Sequence, residues 1–193
     1  VLVGLIYLVM ALRGNLVGDR NLLALAIVLG LVPLFIVLPQ MSKARAVPPI
    51  HDISTDTENP PVFVAVVPLR ADAPNPVEYG GSETWSADKL ALATSEAYPD
   101  LEPVRTRMSV ADAVSRSEVV LTEMGLEIVA TNVAAGRLEA TATSFWFGFK
   151  DDMVVRVTDD EREVLIDLRS KSRVGQSDIG ANAERIREFI RRF

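Results

Sequence analysis

A chain of 193 residues with no cysteine, one histidine and a net charge of −6 excludes several chemistries at once. Without cysteine there is no disulfide, thiolate nucleophile or cysteine-ligated metal centre, and any histidine-based triad or metal site rests on His51 alone. The acidic balance, with no long basic run, argues against nucleic acid as a partner, because that binding needs clustered Lys and Arg to neutralise phosphates.

Composition divides the chain near residue 46. Before it a single acidic residue, Asp19, stands against Arg13, Arg20, Lys43 and Arg45; the remainder carries 16 basic and 25 acidic residues, a net −9. Val1 to Leu12 is apolar, but twelve residues at ~1.5 Å each cover only ~18 Å, too short to span a bilayer alone. This segment reads as the second half of a span that begins upstream of Val1. Gly14 to Asp19 then forms a tight hairpin, and Leu22 to Leu38, an uncharged apolar run, reads as a transmembrane helix. Pro33 lies within it, and Gly30 permits close helix packing. Basic residues flank both ends equally, so orientation rests on the shorter loop and on the acidity of the chain beyond residue 46: hairpin in the cytoplasm, domain outside. The organisation expected is a transmembrane hairpin over 1–41, an extended linker over 42–61 and a globular domain over 62–193.

Within the linker, Pro48-Pro49 and Pro60-Pro61 favour extended backbone. Ser86 suits the N-cap of a helix that Pro99 stops after Tyr98. Ser109-Val-Ala-Asp112 resembles a capping box, with Val110, Ala113, Val114, Leu121 and Met124 at helical spacing and Gly125 as terminator. Four strands come next at Leu126–Asn132, Arg137–Phe149, Met153–Thr158 and Glu163–Ser170, the third preceded by a turn at Lys150-Asp-Asp152. Short connections make them an antiparallel meander.

Alternation gives the sheet two faces. Val164, Ile166 and Leu168 read as core, whereas Asp167 and Arg169 face away and can pair with Glu139 or Arg156. Phe145, Trp146, Phe147 and Phe149 read as core at a strand end, with an interface as the other reading. A last helix from about Asp178 to Arg192 sets Ile179, Ala183, Ile186, Ile190 and Phe193 on one stripe. The fold class is therefore α+β, an antiparallel four-stranded meander packed by helices and preceded by transmembrane helices.

The turn before that helix is dense in polar groups. Arg169 and Arg173 offer planar forks for carboxylate or phosphate, Ser170, Ser172, Ser177 and Asn182 offer hydrogen bonds, and a helix N-terminus points into the same place. These six residues are the candidate anion site; the competing reading is that Ser177 and Asp178 cap the helix while the arginines bind loop carbonyls and sheet carboxylates. His51, Asp52 and Asp56 form a second candidate, a polar cleft where imidazole and carboxylate could act as base and orienter, or alternatively a capped loop. Asp151-Asp152 and Asp159-Asp160 read as solvated turn residues rather than a metal site, and neither a metal nor a cofactor is expected.

Pro48-Pro-Ile-His-Asp-Ile-Ser-Thr-Asp56, Tyr98-Pro99, Phe149-Lys-Asp-Asp152 with Val155-Arg156, and Asp167-Leu-Arg-Ser-Lys-Ser-Arg-Val-Gly-Gln-Ser-Asp-Ile-Gly-Ala-Asn-Ala-Glu-Arg-Ile186 together resemble the uncharacterised family numbered 1499 among domains of unknown function. The resemblance covers roughly Ala46 to Phe193. Its bacterial members carry several apolar spans before the domain, which implies an anchored domain on the outer face of the inner membrane, in the periplasm. It implies no reaction.

The function expected is non-catalytic: an accessory or scaffold subunit of a bacterial inner-membrane complex, with membrane lipid and other membrane-protein subunits as partners. The rival is an enzyme on an anionic small molecule or lipid headgroup. In it, Arg169 and Arg173 hold the anion and His51 with Asp52 serves as acid or base. A third reading is a lipid-binding protein that grips tail and headgroup with its aromatic strand end and arginine turn.

Overall fold

The computed structural model describes residues 6, 9, 10, 13 and 20–193. The expected first span and hairpin lie almost wholly outside these residues. The chain divides between Ala46 and Val47 into two units. The first contains helix α1, Arg20–Ala46, with Pro33 and Pro39 inside it. Its stretch Ala24–Ala46 is long and apolar enough to cross a membrane.

The second unit begins at Val47. Ser42 to Ala46 continue α1, and Ile50 and Ile53 are fully buried in the core of the domain. Asp52–Ser54 form strand β1, a short 3-10 turn covers Val67–Arg70, and helix α2 spans Ala87–Ala97. Strand β2 (Val104–Thr106) and helix α3 (Val110–Glu123) come next. Strands β3 (Glu127–Asn132), β4 (Arg137–Thr143), β5 (Lys150–Asp160) and β6 (Glu163–Ser172) lead to helix α4, Ala181–Arg192.

The sheet is antiparallel throughout, in the order β1-β6-β5-β4-β3, with β2 sharing the free edge of β6. It thus has six strands among the described residues where four were expected. β1 and β2 are three residues each, too short to leave a hydrophobic periodicity to read.

The predicted capping box is present at α3: Ser109 Oγ accepts from Asp112 N at 3.1 Å and donates to the Asp112 carboxylate. Gly136, at φ +56°, closes the β3–β4 turn so tightly that a Cβ there would sit 2.1 Å from Val157 O. One sheet face packs Leu138, Ala140, Met153, Val155, Val157, Val164, Ile166 and Leu168 under α3 and α4, whose Val114, Leu121, Ile186 and Phe189 complete the main core. The other face is charged.

Candidate functional site

Period-two alternation puts Glu139 and Thr141 of β4, Asp152 of β5, and Asp167, Arg169 and Lys171 of β6 on that second face. Register aligns them: Thr141 lies opposite Asp152, Asp152 opposite Lys171, and Lys171 opposite Asp52 of β1. Over them pass residues 55–82, which apart from the 3-10 turn have no regular structure and only a small apolar cluster of Phe63, Val66 and Val154, with Val77 against it. A coil laid on a sheet cannot satisfy its backbone N–H and C=O groups by itself; side chains beneath it must do so.

The charged residues supply those partners. Glu139, fully buried, accepts from the backbone N–H of Val64, Ala65 and Val66 at 3.0–3.1 Å, with Arg137 beside it. Arg169 pairs with both oxygens of Asp52 at 2.8 and 3.0 Å and donates to Pro61 O and Val77 O. Its guanidinium lies between the rings of Phe63 and Tyr79, at 4.9 and 5.3 Å. Lys171 donates to Glu78 O at 2.7 Å and pairs with Asp52 at 2.9 Å. Arg173 holds Leu69 O and Asp152, and Arg70 holds Asp152, Asn75 O and Ser172 O.

The candidate anion site is built into this clamp. Ser170 Oγ donates to Asn182 Oδ1 and accepts from Arg185; Asn182 Nδ2 donates to His51 O and to Ser172 Oγ. Ser177 Oγ accepts from Ile179 N, while the Asp178 carboxylate accepts from Gly180 N and Asn182 N, both at 2.8 Å. Burial raises the Asp178 pKa, backbone hydrogen bonds from Asn182 and Gly180 oppose that, and its carboxyl fills the helix N-terminus. Ser170, Asn182 and Ser172 are thus bonded to one another, and Arg169 to Asp52 and the coil.

The candidate polar cleft is only partly assembled. Asp52 meets Arg169, but Asp56 belongs elsewhere: it caps Glu58 N and Asn59 N and pairs with Arg156, which also holds Asp167. His51 lines a cleft of about 230 Å³ with Pro49, Asn75, Ser82, Thr84, Trp85 and Gln176. Arg173 lines a different groove, beside Leu69 and Phe149. His51 and Asp52 also line, with Trp85, Leu90 and Lys171, a void of only about 10 Å³, at the lower limit for one water. Burial pushes the His51 imidazole below its usual pKa and opposes the Gln176 O contact at 3.4 Å, so the ring is neutral at pH 7. Burial and the negative charge of Asp52 raise the Tyr79 phenol to about 12.

Sequence reasoning misses the roles of Asp152, Lys171 and Arg70, and offers Glu139 only as a cross-strand ion-pair partner, where it instead meets Arg137 and the backbone of residues 64–66. Asp152, expected as a solvated turn residue, is instead fully buried in β5, as the cross-strand register with Thr141 and Lys171 requires. Strand β4 ends at Thr143, not Phe149. Ser144 closes a hairpin there, its N–H donating to Phe149 O and its Oγ accepting from Phe149 N, with Gly148 at φ +65°. The expected core aromatics are consequently exposed: Phe145 by 89%, Trp146 by 82% and Phe147 by 76%.

The family model described as "Protein of unknown function (DUF1499)" matches residues 52–193. The chain belongs to that family. The match begins at the first residue of β1 and takes in the whole sheet, the coil and α4, so the clamp lies entirely inside the family's domain. No curated protein matches the chain.

Proposed function

We propose that this DUF1499 chain is a membrane-anchored, non-catalytic domain acting as an accessory or scaffold subunit of a membrane-protein assembly, at the periplasmic face of a bacterial inner membrane. The observation that carries the reading is the clamp. Arg169, Lys171, Asp52, Asp152 and Arg70 are buried against each other and against the coil's backbone, so they position a surface, and none of these three cationic groups is free for a substrate. Helix α1 supplies the anchor. Membrane lipid and neighbouring membrane-protein subunits are the partners this arrangement calls for.

One observation favours the rival. The His51 cleft holds a neutral imidazole beside Trp85 and Gln176, which could accept a proton from a bound small molecule. His51→Ala separates the two readings, because the His51 side chain makes only one long hydrogen bond. In a deletion strain, the scaffold reading expects H51A to restore growth and assembly as the native chain does. Failure to restore them with normal amounts of folded H51A protein would favour catalysis.

A further inference from the structure

The β4–β5 hairpin carries the sequence Phe145-Trp-Phe-Gly-Phe149 with no acidic residue between Ser144 and Lys150. Its rings pack on each other, Phe145 edge-on to Trp146 at 5.2 Å and Phe147 stacked with Phe149 at 5.4 Å, and not on the core. Exposed Leu69 and Val174 border the groove below, which also contains Pro68, Asp72, Lys150 and Arg173. Four large aromatic side chains held in water by a hairpin mark a surface that is covered in use.

Strand register says what lies on that side. β1 runs antiparallel to β6, and Asp52, its first residue, pairs with Lys171; Lys171 pairs with Asp152, close in sequence to the aromatic hairpin. The polypeptide therefore arrives from Val47 at the same end of the sheet as the hairpin, two to three strand spacings or about 10–14 Å away across the strands. The opposite end, about 30–35 Å along β5, is strongly charged: Asp159, Asp160, Glu161 and Glu163 against Arg105, Arg107 and Arg162. One end of the domain is thus aromatic and receives the chain from an apolar helix, and the other is hydrated. Phe and Trp side chains at one tip, with a lysine beside them, match the interfacial layer of a bilayer, where Trp is favoured and basic groups meet phosphate.

We propose that the Phe145–Phe149 hairpin, with Leu69 and Val174 at its rim, inserts into the interfacial layer of the bilayer that α1 crosses, fixing the domain's tilt on the membrane. The inference rests on the membrane-anchored reading above. Insertion needs no conformational change in the hairpin, since its rings already point outward. It leaves the charged far end to face other proteins.

The test uses the full chain in vesicles of phosphatidylcholine with a minority of phosphatidylglycerol, compared with the same lipids brominated near the top of the acyl chains. Trp85 and Trp146 are the two tryptophans, so Trp85→Phe isolates Trp146. The native chain minus Trp146→Phe gives the same signal should W85F fold poorly. Bromination should quench Trp146 emission about twofold or more, as expected for a side chain seated ~5–10 Å into the interface. Phe145→Ser with Phe147→Ser should remove most of that quenching without changing thermal stability. Equal emission in both vesicles overturns the proposal, whether water, a second copy or another protein surrounds the indole. Flotation after an alkaline wash keeps the two claims apart: a chain that fails to float refutes the anchor itself, whereas one that floats unquenched refutes only the insertion.

Discussion

Asp52→Asn is expected to destabilise the domain by about 3–5 kcal/mol, the range for leaving buried charges without their partner. Asp52, Arg169 and Lys171 are each only 2% exposed, and the one carboxylate pairs with both cations. Asparagine keeps the shape but removes the charge, so a guanidinium and an ammonium remain side by side beneath the coil. The loss should depend on pH in a particular direction. Burial already lowers the Lys171 pKa and the Asp52 charge opposes that shift, so removing Asp52 depresses it further. Above the depressed value the folded lysine is neutral while the unfolded lysine still binds its proton. Stability of D52N therefore rises with pH from that depressed value towards the usual lysine pKa of about 10.4. Urea unfolding of native protein and D52N at several pH values measures this, and a gap that narrows on the alkaline side is the expected result. A catalytic Asp52 would give the opposite pattern, a variant as stable as the native chain but inactive.

Asp152→Asn should be comparably costly, about 3–5 kcal/mol. Its carboxylate receives Arg70 at 2.6 Å, Arg173 at 2.7 and 2.9 Å, and the Thr141 hydroxyl at 2.7 Å, all inside the clamp. Burial acts to raise its pKa, but hydrogen bonds from Arg173, Thr141 and Arg70 outweigh it and hold the carboxyl below the usual range. A depressed folded pKa means that the stabilisation is fully present above the unfolded value of about 3.9 and disappears as pH falls through the folded one. D152N lacks that titration, so its difference from the native protein should shrink below about pH 4. Because Arg173 and Arg70 also hold Leu69 O and Asn75 O, amide exchange in residues 67–75 should speed up more than in α3. Uniform acceleration across the domain would mean that Asp152 does not act through the coil.

Much of the fold is legible in the sequence because it obeys local rules. The Ser109 cap and the alternation of β6 lie where the pattern places them, and Ala183 and Ile186 of the expected α4 stripe are buried, whereas Ile179 precedes the helix and is exposed, and Phe189, outside the expected stripe, is fully buried. The clamp is not legible, because a face carrying Glu139, Asp152, Asp167, Arg169 and Lys171 reads in sequence as a solvated one. It is covered by a coil that approaches through contacts about a hundred positions distant, such as Thr55 with Leu168. Propensity has little signal for that coil, since many of its hydrogen bonds come from the sheet's side chains, beside a few short turns of its own backbone. Polarity also misplaces Lys150-Asp-Asp152, which looks like a turn and is the start of β5, buried at Asp152. The aromatics err the other way: Phe and Trp predict burial, and only Ser144 and Gly148 signal that the chain reverses before they reach the core. Of the candidate site, the binding of a carboxylate by Arg169 and the capping by Asp178 are both present, whereas His51 and Arg173 do not share one cleft.

A domain that positions other molecules and does not transform them should keep its partners, and native mass spectrometry of the full-length chain, extracted gently from its own membranes, tests this most directly. The result expected is a protein partner at fixed stoichiometry, retained by the native chain and by H51A alike. A chain that leaves the membrane alone, or carrying only a small anionic ligand in the His51 cleft, would contradict it.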